Sequence, residues 1–372
     1  MAEKGRIRRM FPGGNTTAGF YSYFQHMIGP DAARVFIIKG GPGVGKSTFM
    51  NTISDEMVDR GYDVEHHHCS SDPDSLDGLV IPSLRVALLD GTAPHIFDPR
   101  NPGAVDEIIN LGEYWKEEEI TKYKDQVLKT NQKVSRLFEI AYSLLKQSKA
   151  AFEEWQDYVE EAVSREKYNR IVRLLIESVL EGVFSNHRTA PKARHLFGSA
   201  ITPKGVLDYK ETLLTGSMRI FCVKGQPGTG VKQLIARTAL SAEEMGLYTE
   251  QYHCPYEPDK PDMLIIPAIN TAVLNNSPPY HFDPGNLEEI KPVEEIDLDI
   301  CIRKEFLEEY EPERMDAEAR SAALLQKAVD HLARAMAAHD EMEEFYIQSM
   351  DYDRVREKRD EVLQKILKYE TT

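Results

Sequence analysis

The 372-residue sequence predicts an α/β protein built twice over, as two parallel sheets flanked by helices, each followed by a long α-helical hairpin arm. Three observations predict it. The segment KGGPGVG at Lys39 returns as KGQPGTG at Lys224, and the same shift of 185 positions holds without a gap as far as Phe97-Asp98-Pro99 and Phe282-Asp283-Pro284. Each copy sets a short apolar run before its glycine-rich turn and a helical pattern after it. Two long stretches, 113–181 and 313–372, contain neither Gly nor Pro.

The repeat extends in both directions. Backward, with one residue of slippage, Phe11, Thr16, Gly19 and Tyr23 meet Phe197, Thr202, Gly205 and Tyr209; forward, Tyr168-Asn169-Arg170 resembles Tyr352-Asp353-Arg354. The expected division is therefore a core at 1–115, an arm at 116–188, a second core at 189–300 and a second arm at 301–372, with the join near 185–192.

The elements follow in order. RVFIIKG at 34–40 and RIFCVKG at 219–225 read as buried strands running into glycine turns. Further strands are expected at 64–69, 79–81 and 86–89, and their alternation with turns and a helix argues for a parallel sheet. In the arms, apolar residues recur at near-heptad spacing: Ile120, Tyr123, Val127, Val134, Leu137, Ala141, Leu144, Trp155 and Tyr158, then Leu325, Leu332, Met336, Met342 and Phe345. The ordinary reading of such stripes is an interhelical seam with a solvated charged face. The sharper one is an arm that binds a protein partner.

Bulk composition sets limits. A net charge of −16 and a pI near 5.2 give no general attraction to nucleic acid or to an anionic membrane surface. The basic residues 1–11 are not followed by an apolar run of signal-peptide length, and no later stretch has the length to cross a bilayer, so a cytoplasmic protein is expected. Cys69, Cys222, Cys254 and Cys301 are too few and scattered for a disulfide framework and read as reduced thiols.

Gly40-Gly41-Pro42-Gly43-Val44-Gly45-Lys46-Ser47-Thr48 satisfies G-x-x-x-x-G-K-[ST] with a strand before and a helix after. Glycines let the backbone wrap so that successive N–H groups face phosphate oxygens at the positive end of the helix. Lys46 is expected to reach the β and γ phosphates of a nucleoside triphosphate, Ser47 to ligate Mg²⁺, and Thr48 to meet the α phosphate. A carboxylate at the end of a neighbouring strand completes such a site, and Asp90 after Val86-Ala87-Leu88-Leu89 is the candidate. The second copy acts as an internal control. There Lys46 becomes Val231, Ser47 becomes Lys232, Thr48 becomes Gln233 and Asp90 becomes Asn275, while Gly225, Gly228 and Gly230 remain. Joint loss argues that Lys46, Ser47 and Asp90 form one site; Lys232, one position further round the helix, points elsewhere.

Around the γ-phosphate, His95 and Arg100 become Tyr280 and Gly285 in the second copy, as expected of active-site residues and equally of surface drift. Asp98 reads as a turn residue. Of Asp72, Asp74 and Asp77, Asp77 is the first candidate to orient a water or hydroxyl, although Asp74 and Asp77 persist in the degenerate copy and turn chemistry also accounts for them. His66-His67-His68-Cys69 looks like a metal cluster, yet alternate strand residues face opposite ways and no second ligand pair follows, so strand packing is the expectation.

The pattern F-x4-T-x2-G, KGGPGVGKST, DPDSLDG and LDGTAPHIFDPRNPGAVDEIINLG resembles an incompletely characterised family of bacterial proteins with two P-loop domains, described as ATPases or nucleotide-kinase-like proteins. The resemblance covers essentially the whole chain and implies ATP binding at residues 40–48. It also implies an intact second GK[ST], from which Val231-Lys232-Gln233 departs. Three functions are in play: a Mg²⁺-dependent ATPase whose degenerate repeat is a regulatory partner in an intramolecular pseudo-dimer, a kinase for a nucleotide or small acceptor with Arg165, Arg170 or Arg173 of an arm as lid, and a nucleotide-sensing scaffold without turnover.

Overall fold

The computed structural model describes residues 4–92, 97–184, 193–278 and 293–371. Three strands, β1 (Ile7–Met10), β2 (Gly13–Thr16) and β3 (Gly19–Ser22), precede β4 (Arg34–Lys39), α1 (Lys46–Asp59), β5 (Val64–His68), β6 (Leu76–Ile81), β7 (Val86–Asp90) and β8 (Asp106–Asn110). Helices α2 (Glu117–Thr121), α3 (Lys124–Ala162) and α4 (Arg165–Val179) follow. The second half repeats that order: β9 (Ala193–Phe197), β10 (Ser199–Thr202), β11 (Gly205–Asp208), β12 (Arg219–Lys224), α5 (Val231–Glu244), β13 (Thr249–Cys254), β14 (Glu257–Ile266), β15 (Thr271–Asn275), β16 (Val293–Asp297), α6 (Lys304–Glu309), α7 (Glu311–Ile347) and α8 (Tyr352–Leu367).

Both large sheets have the same order, β1-β5-β6-β7-β4-β8 and β9-β13-β14-β15-β12-β16. They are mixed, not parallel. β6 runs antiparallel to β5 and β7, and β14 antiparallel to β13 and β15. The reason is connection length. A parallel crossover needs a dozen or more residues, but β6 and β7 are joined by a single 3-10 turn that ends in Arg85 at φ 55, and β14 and β15 by its counterpart ending in Asn270 at φ 49. Among the described residues, the α-helices that join strands of one sheet are α1, between β4 and β5, and α5, between β12 and β13.

The halves meet through a third, antiparallel sheet, β3-β2-β10-β11. Here Asn15 faces Ile201 and Phe11 bridges Phe197, so positions 186 apart pair with each other, as a two-fold contact requires. Beside this seam lies an ion quartet of two buried carboxylates and two partly buried guanidinium groups. Glu65 meets Arg194 at 2.6 Å and Arg8 at 2.9 Å, and Arg8 reaches Glu250 at 2.5 Å.

The arms differ from the expected hairpins. α3 and α7 lie antiparallel on each other: Tyr123 stacks on Phe345, the Ser148 hydroxyl bonds the Ser321 carbonyl at 2.7 Å, and Tyr158 stacks on Tyr310. A helix of 39 residues spans about 58 Å, which carries the chain from Tyr123 beside Phe345 to Gln156 and Val159 against Gly228 before the break at Val163 and Ser164 lets it turn. Consequently α4 packs on α5, with Tyr168, Val172 and Leu175 in the core of the second half. By the same logic α8 packs on α1, with Val355, Val362 and Ile366 in the core of the first. Each half is covered by the other's short helix. The bridges Trp115–Met350 and Val163–Ile302 put the arms in register at a shift of 187, three positions off the Tyr168–Tyr352 match.

The histidine run packs as strand. His66 Nε2 lies 2.6 Å from the Ser54 hydroxyl and His68 donates from Nδ1 to the Pro73 carbonyl at 2.9 Å. Burial pushes His66 down to about 3, His68 to about 4 and, in β13, His253 to about 3. Folded values below the unfolded one mean stability that is present above pH 6.5 and lost as pH falls, about 2 kcal/mol per ring by pH 5. In urea denaturation at pH 7 and pH 5, His253→Gln should therefore lose about 2 kcal/mol less than the wild type between the two conditions; equal losses would contradict the account.

Candidate nucleotide site

β4 delivers the loop. Phe36, Ile37 and Ile38 are fully buried, which fixes the strand, and the chain then turns through residues 40–45 into α1. Gly43 and Gly45 take φ of 66° and 84°, a region that a side chain disfavours, and Gly45 is the residue from which the helix starts. Val44, buried, pins the loop to the core, while Thr48 stays exposed on the first turn.

Lys46 folds back over the loop. Its ammonium donates to the Gly40 and Gly41 carbonyls at 2.9 Å each and lies 3.5 Å from Asp90 Oδ2. Asp90, at the end of β7, accepts from the Thr92 N–H at 2.8 Å, and the Thr92 hydroxyl donates to the Gly40 carbonyl at 2.8 Å. The Ser47 hydroxyl accepts from the Leu76 N–H at 3.1 Å, at the start of β6. One residue on, Asp77 is buried. Burial and the neighbouring Asp90 carboxylate push it up to about 8, against the pull of the Cys69 thiol and of Lys46. Lys46 thus lies against Asp90, both act on the buried Asp77, and Ser47 is tied to the residue before it. Hard oxygen donors beside a lysine suit Mg²⁺ and a phosphate chain.

Other sequence candidates fall elsewhere. Arg100 is exposed, its guanidinium 5.9 Å from the Phe97 ring centroid and its N–H bonded to Asp106, so its contacts run away from the phosphate loop. His95 lies outside the described residues, as do Tyr280 and Gly285. Lys39 holds the chain after Asp90 through the Gly91 and Phe97 carbonyls and Asp98, which gives Asp98 its place in the turn. Asp72 accepts from Ser75 within its own turn, and Asp74 pairs with Lys204 of the other half.

Sequence reasoning missed the cover. Glu343, near the end of α7, accepts from the Gly43 N–H at 3.1 Å, and the Tyr352 hydroxyl, at the start of α8, donates to the Gly43 carbonyl at 2.6 Å. The rings of Trp115 and Tyr346 close over Gly41. Pairing the arms by their helix breaks, instead of by Tyr168 and Tyr352, was the signal that could have found them.

The second loop is differently furnished. A Cβ on Gly228, at φ 99°, would stand 2.3 Å from the Gln156 carbonyl oxygen and 2.9 Å from Val159, so α3 closes directly over the glycine. The Tyr168 hydroxyl donates to the Gly230 carbonyl at 2.9 Å and Val231 is buried. Lys232 does not reach its own loop carbonyls as Lys46 does. It lies 2.7 Å from Glu257 and 3.0 Å from Cys254 Sγ; burial lowers its pKa, but Cys254, Glu257 and Asp262 outweigh that and raise it. Asp262, the counterpart of Asp77, is matched by Lys210 at 3.0 Å and Asn275 at 2.5 Å. The arginines proposed as a lid travel with α4 to this second loop, and Arg165 is paired with Glu160.

A buried strand, a left-handed glycine turn, a helix opening on Lys-Ser and an aspartate at the next strand's end define a P-loop NTPase domain. The model of the KAP family P-loop domain matches residues 18–348, and the chain belongs to that family. No curated protein and no solved structure matches it. Among the described residues, no helix is long and apolar enough to cross a membrane.

Proposed function

We propose that the protein is a cytoplasmic, Mg²⁺-dependent ATPase that hydrolyses ATP at the first P-loop, and that its second half is a regulatory partner derived by tandem duplication and folded with the first as a pseudo-dimer. One observation carries this reading. The first half keeps Lys46, Ser47 and Asp90, with Lys46 against Asp90, whereas their counterparts are Val231, Lys232 and Asn275, at a loop over which Gln156, Val159 and Tyr168 are closed.

In the working site the N–H groups of Gly41 and of residues 43–46 bind the phosphates, Pro42 having none to give, and Lys46 leaves the Gly40 and Gly41 carbonyls to meet the β and γ oxygens. Mg²⁺ would be held by the Ser47 hydroxyl and the Asp90 carboxylate, and supplies neutralisation of the phosphate charge. In this reading Asp77, buried beside Asp90, orients the attacking water through its carboxyl group. Arg165, Arg170 and Arg173 ride on α4, away from this loop, which favours water over a bound acceptor beneath an arginine lid. The outer faces of α3 and α7 remain the place for a protein partner.

The test is phosphate release from labelled ATP by the full chain, with and without added nucleosides and nucleotides. Acceptor-independent release is the expected result, and strict dependence on an acceptor would replace the ATPase by a kinase. Asp90→Asn, the change that the second half carries, should lower Mg²⁺-dependent turnover by about 100-fold or more.

A further inference from the structure

The carboxylate of Glu343 stands where a phosphate oxygen belongs. Gly43 is the middle glycine of the loop, and its N–H is one of the donors that such a turn aims at its anion. Here it is already spent on Glu343 Oε1 at 3.1 Å, and the Glu343 carbonyl oxygen would lie 3.0 Å from a Cβ on the same glycine. Glu343 comes from the other half of the chain, 300 residues downstream.

The second half again serves as control. At the 187-residue shift that the two bridges fix, Glu343 corresponds to Gln156, whose carbonyl approaches Gly228 as that of Glu343 approaches Gly43. The carboxylate is present at the loop that keeps Lys46, Ser47 and Asp90, and is an amide at the loop that has lost them. Asp90 and Asn275 show the same exchange of acid for amide. Glu and Gln fill the same volume, and their side chains are used differently: the Gln156 amide donates from Nε2 to Glu257 at 3.4 Å, whereas the Glu343 carboxylate takes the loop's own N–H.

We infer that Glu343 is a built-in competitor for the nucleotide's phosphates: its carboxylate and the phosphate chain hold the Gly43 N–H in mutual exclusion. This inference rests on the first P-loop being the nucleotide site. Two anions cannot share one donor, so ATP enters as Glu343 leaves. Departure is not local. Glu343 lies in the last two turns of α7, Tyr352 fastens the start of α8 to the Gly43 carbonyl, and Tyr346 lies over Gly41. Seating a phosphate therefore loosens the α7–α8 corner, and the long α3–α7 pair carries that change towards the second half.

The experiment measures equilibrium binding of Mg-ATP, and separately of pyrophosphate, to the full-length wild type and to Glu343→Gln. The glutamine keeps the shape and an acceptor but exchanges a charged hydrogen bond for a neutral one, and both ligands should bind about tenfold tighter. Affinities within twofold of the wild type, with the wild type binding, overturn the inference and leave the ATPase reading standing. A folded wild type that binds neither ligand overturns both. A second readout needs no variant: hydrogen exchange across 343–352 should quicken when ATP is added to the wild type, and exchange unchanged at saturation also overturns it.

Discussion

Replacing Lys46 by alanine should weaken ATP binding by about 100-fold to 10,000-fold and abolish turnover, while Lys232→Ala leaves both within a few-fold of the wild type. The first figure follows from about two charge-assisted hydrogen bonds to phosphate, each worth about 1.5–3 kcal/mol. The second follows from where each ammonium lies. Lys46 rests on the loop carbonyls, 3.5 Å from Asp90, and needs only to swing to meet a phosphate. Lys232 is committed to Glu257 and Cys254. Calorimetric titration with Mg-ATP and a phosphate-release assay on both variants check it. Similar behaviour of the two variants would remove the asymmetry on which the division of labour depends.

The second large effect concerns the seam. Glu65→Ala should destabilise the protein by about 3–5 kcal/mol, since removing one partner strands buried charge of the other sign. Glu65 is 1% exposed and accepts two bonds from Arg194 and one from Arg8, which leaves Glu250 as the remaining carboxylate facing two guanidinium groups. Burial alone would raise the Glu65 carboxyl; Arg194, His67 and Arg8 overcome it and hold it well below the usual range. A folded value below the unfolded one means that this contribution is present above about pH 4.5 and is lost as pH falls further. Urea denaturation at pH 7 gives the size. Adding Arg194→Met to Glu65→Ala should restore part of the loss, because the stranded cation is then gone.

How much of this was legible depended on distance along the chain. The nucleotide loop is nine consecutive residues whose spacing is dictated by the ligand, so Lys46 and Ser47 stand out on reading and Asp90 on comparing the copies, and the fold sets Lys46 3.5 Å from Asp90. Sheet direction was misread because the alternation of runs was weighed without the connections: a turn as short as that between β6 and β7 admits only an antiparallel pair. The arms were read as hairpins because a stripe such as Val127, Leu137 and Ala141 records that a helix has a partner, not which one. Glu343 was out of reach for a similar reason. It meets Gly43 only because a long helix crosses from the other half, and matching Tyr168-Asn169-Arg170 to Tyr352-Asp353-Arg354 hid the register, three positions away, that sets it against Gln156. Arg100 shows the converse, a residue with the right chemistry and pattern of loss that folding leaves on the surface.

The exchange of short helices has a consequence for biosynthesis. The residues that close the first loop, Glu343 and Tyr352, are 300 and 309 positions downstream of Gly43. At about 5–20 residues per second on the ribosome, some 15–60 seconds pass between the emergence of the loop and that of its cover. For that interval the nascent first half has its lysine, its serine and its aspartate but neither α8 over α1 nor a carboxylate on Gly43. A nucleotide met during synthesis would find that loop uncontested, and could act as a template around which the remainder of the chain assembles.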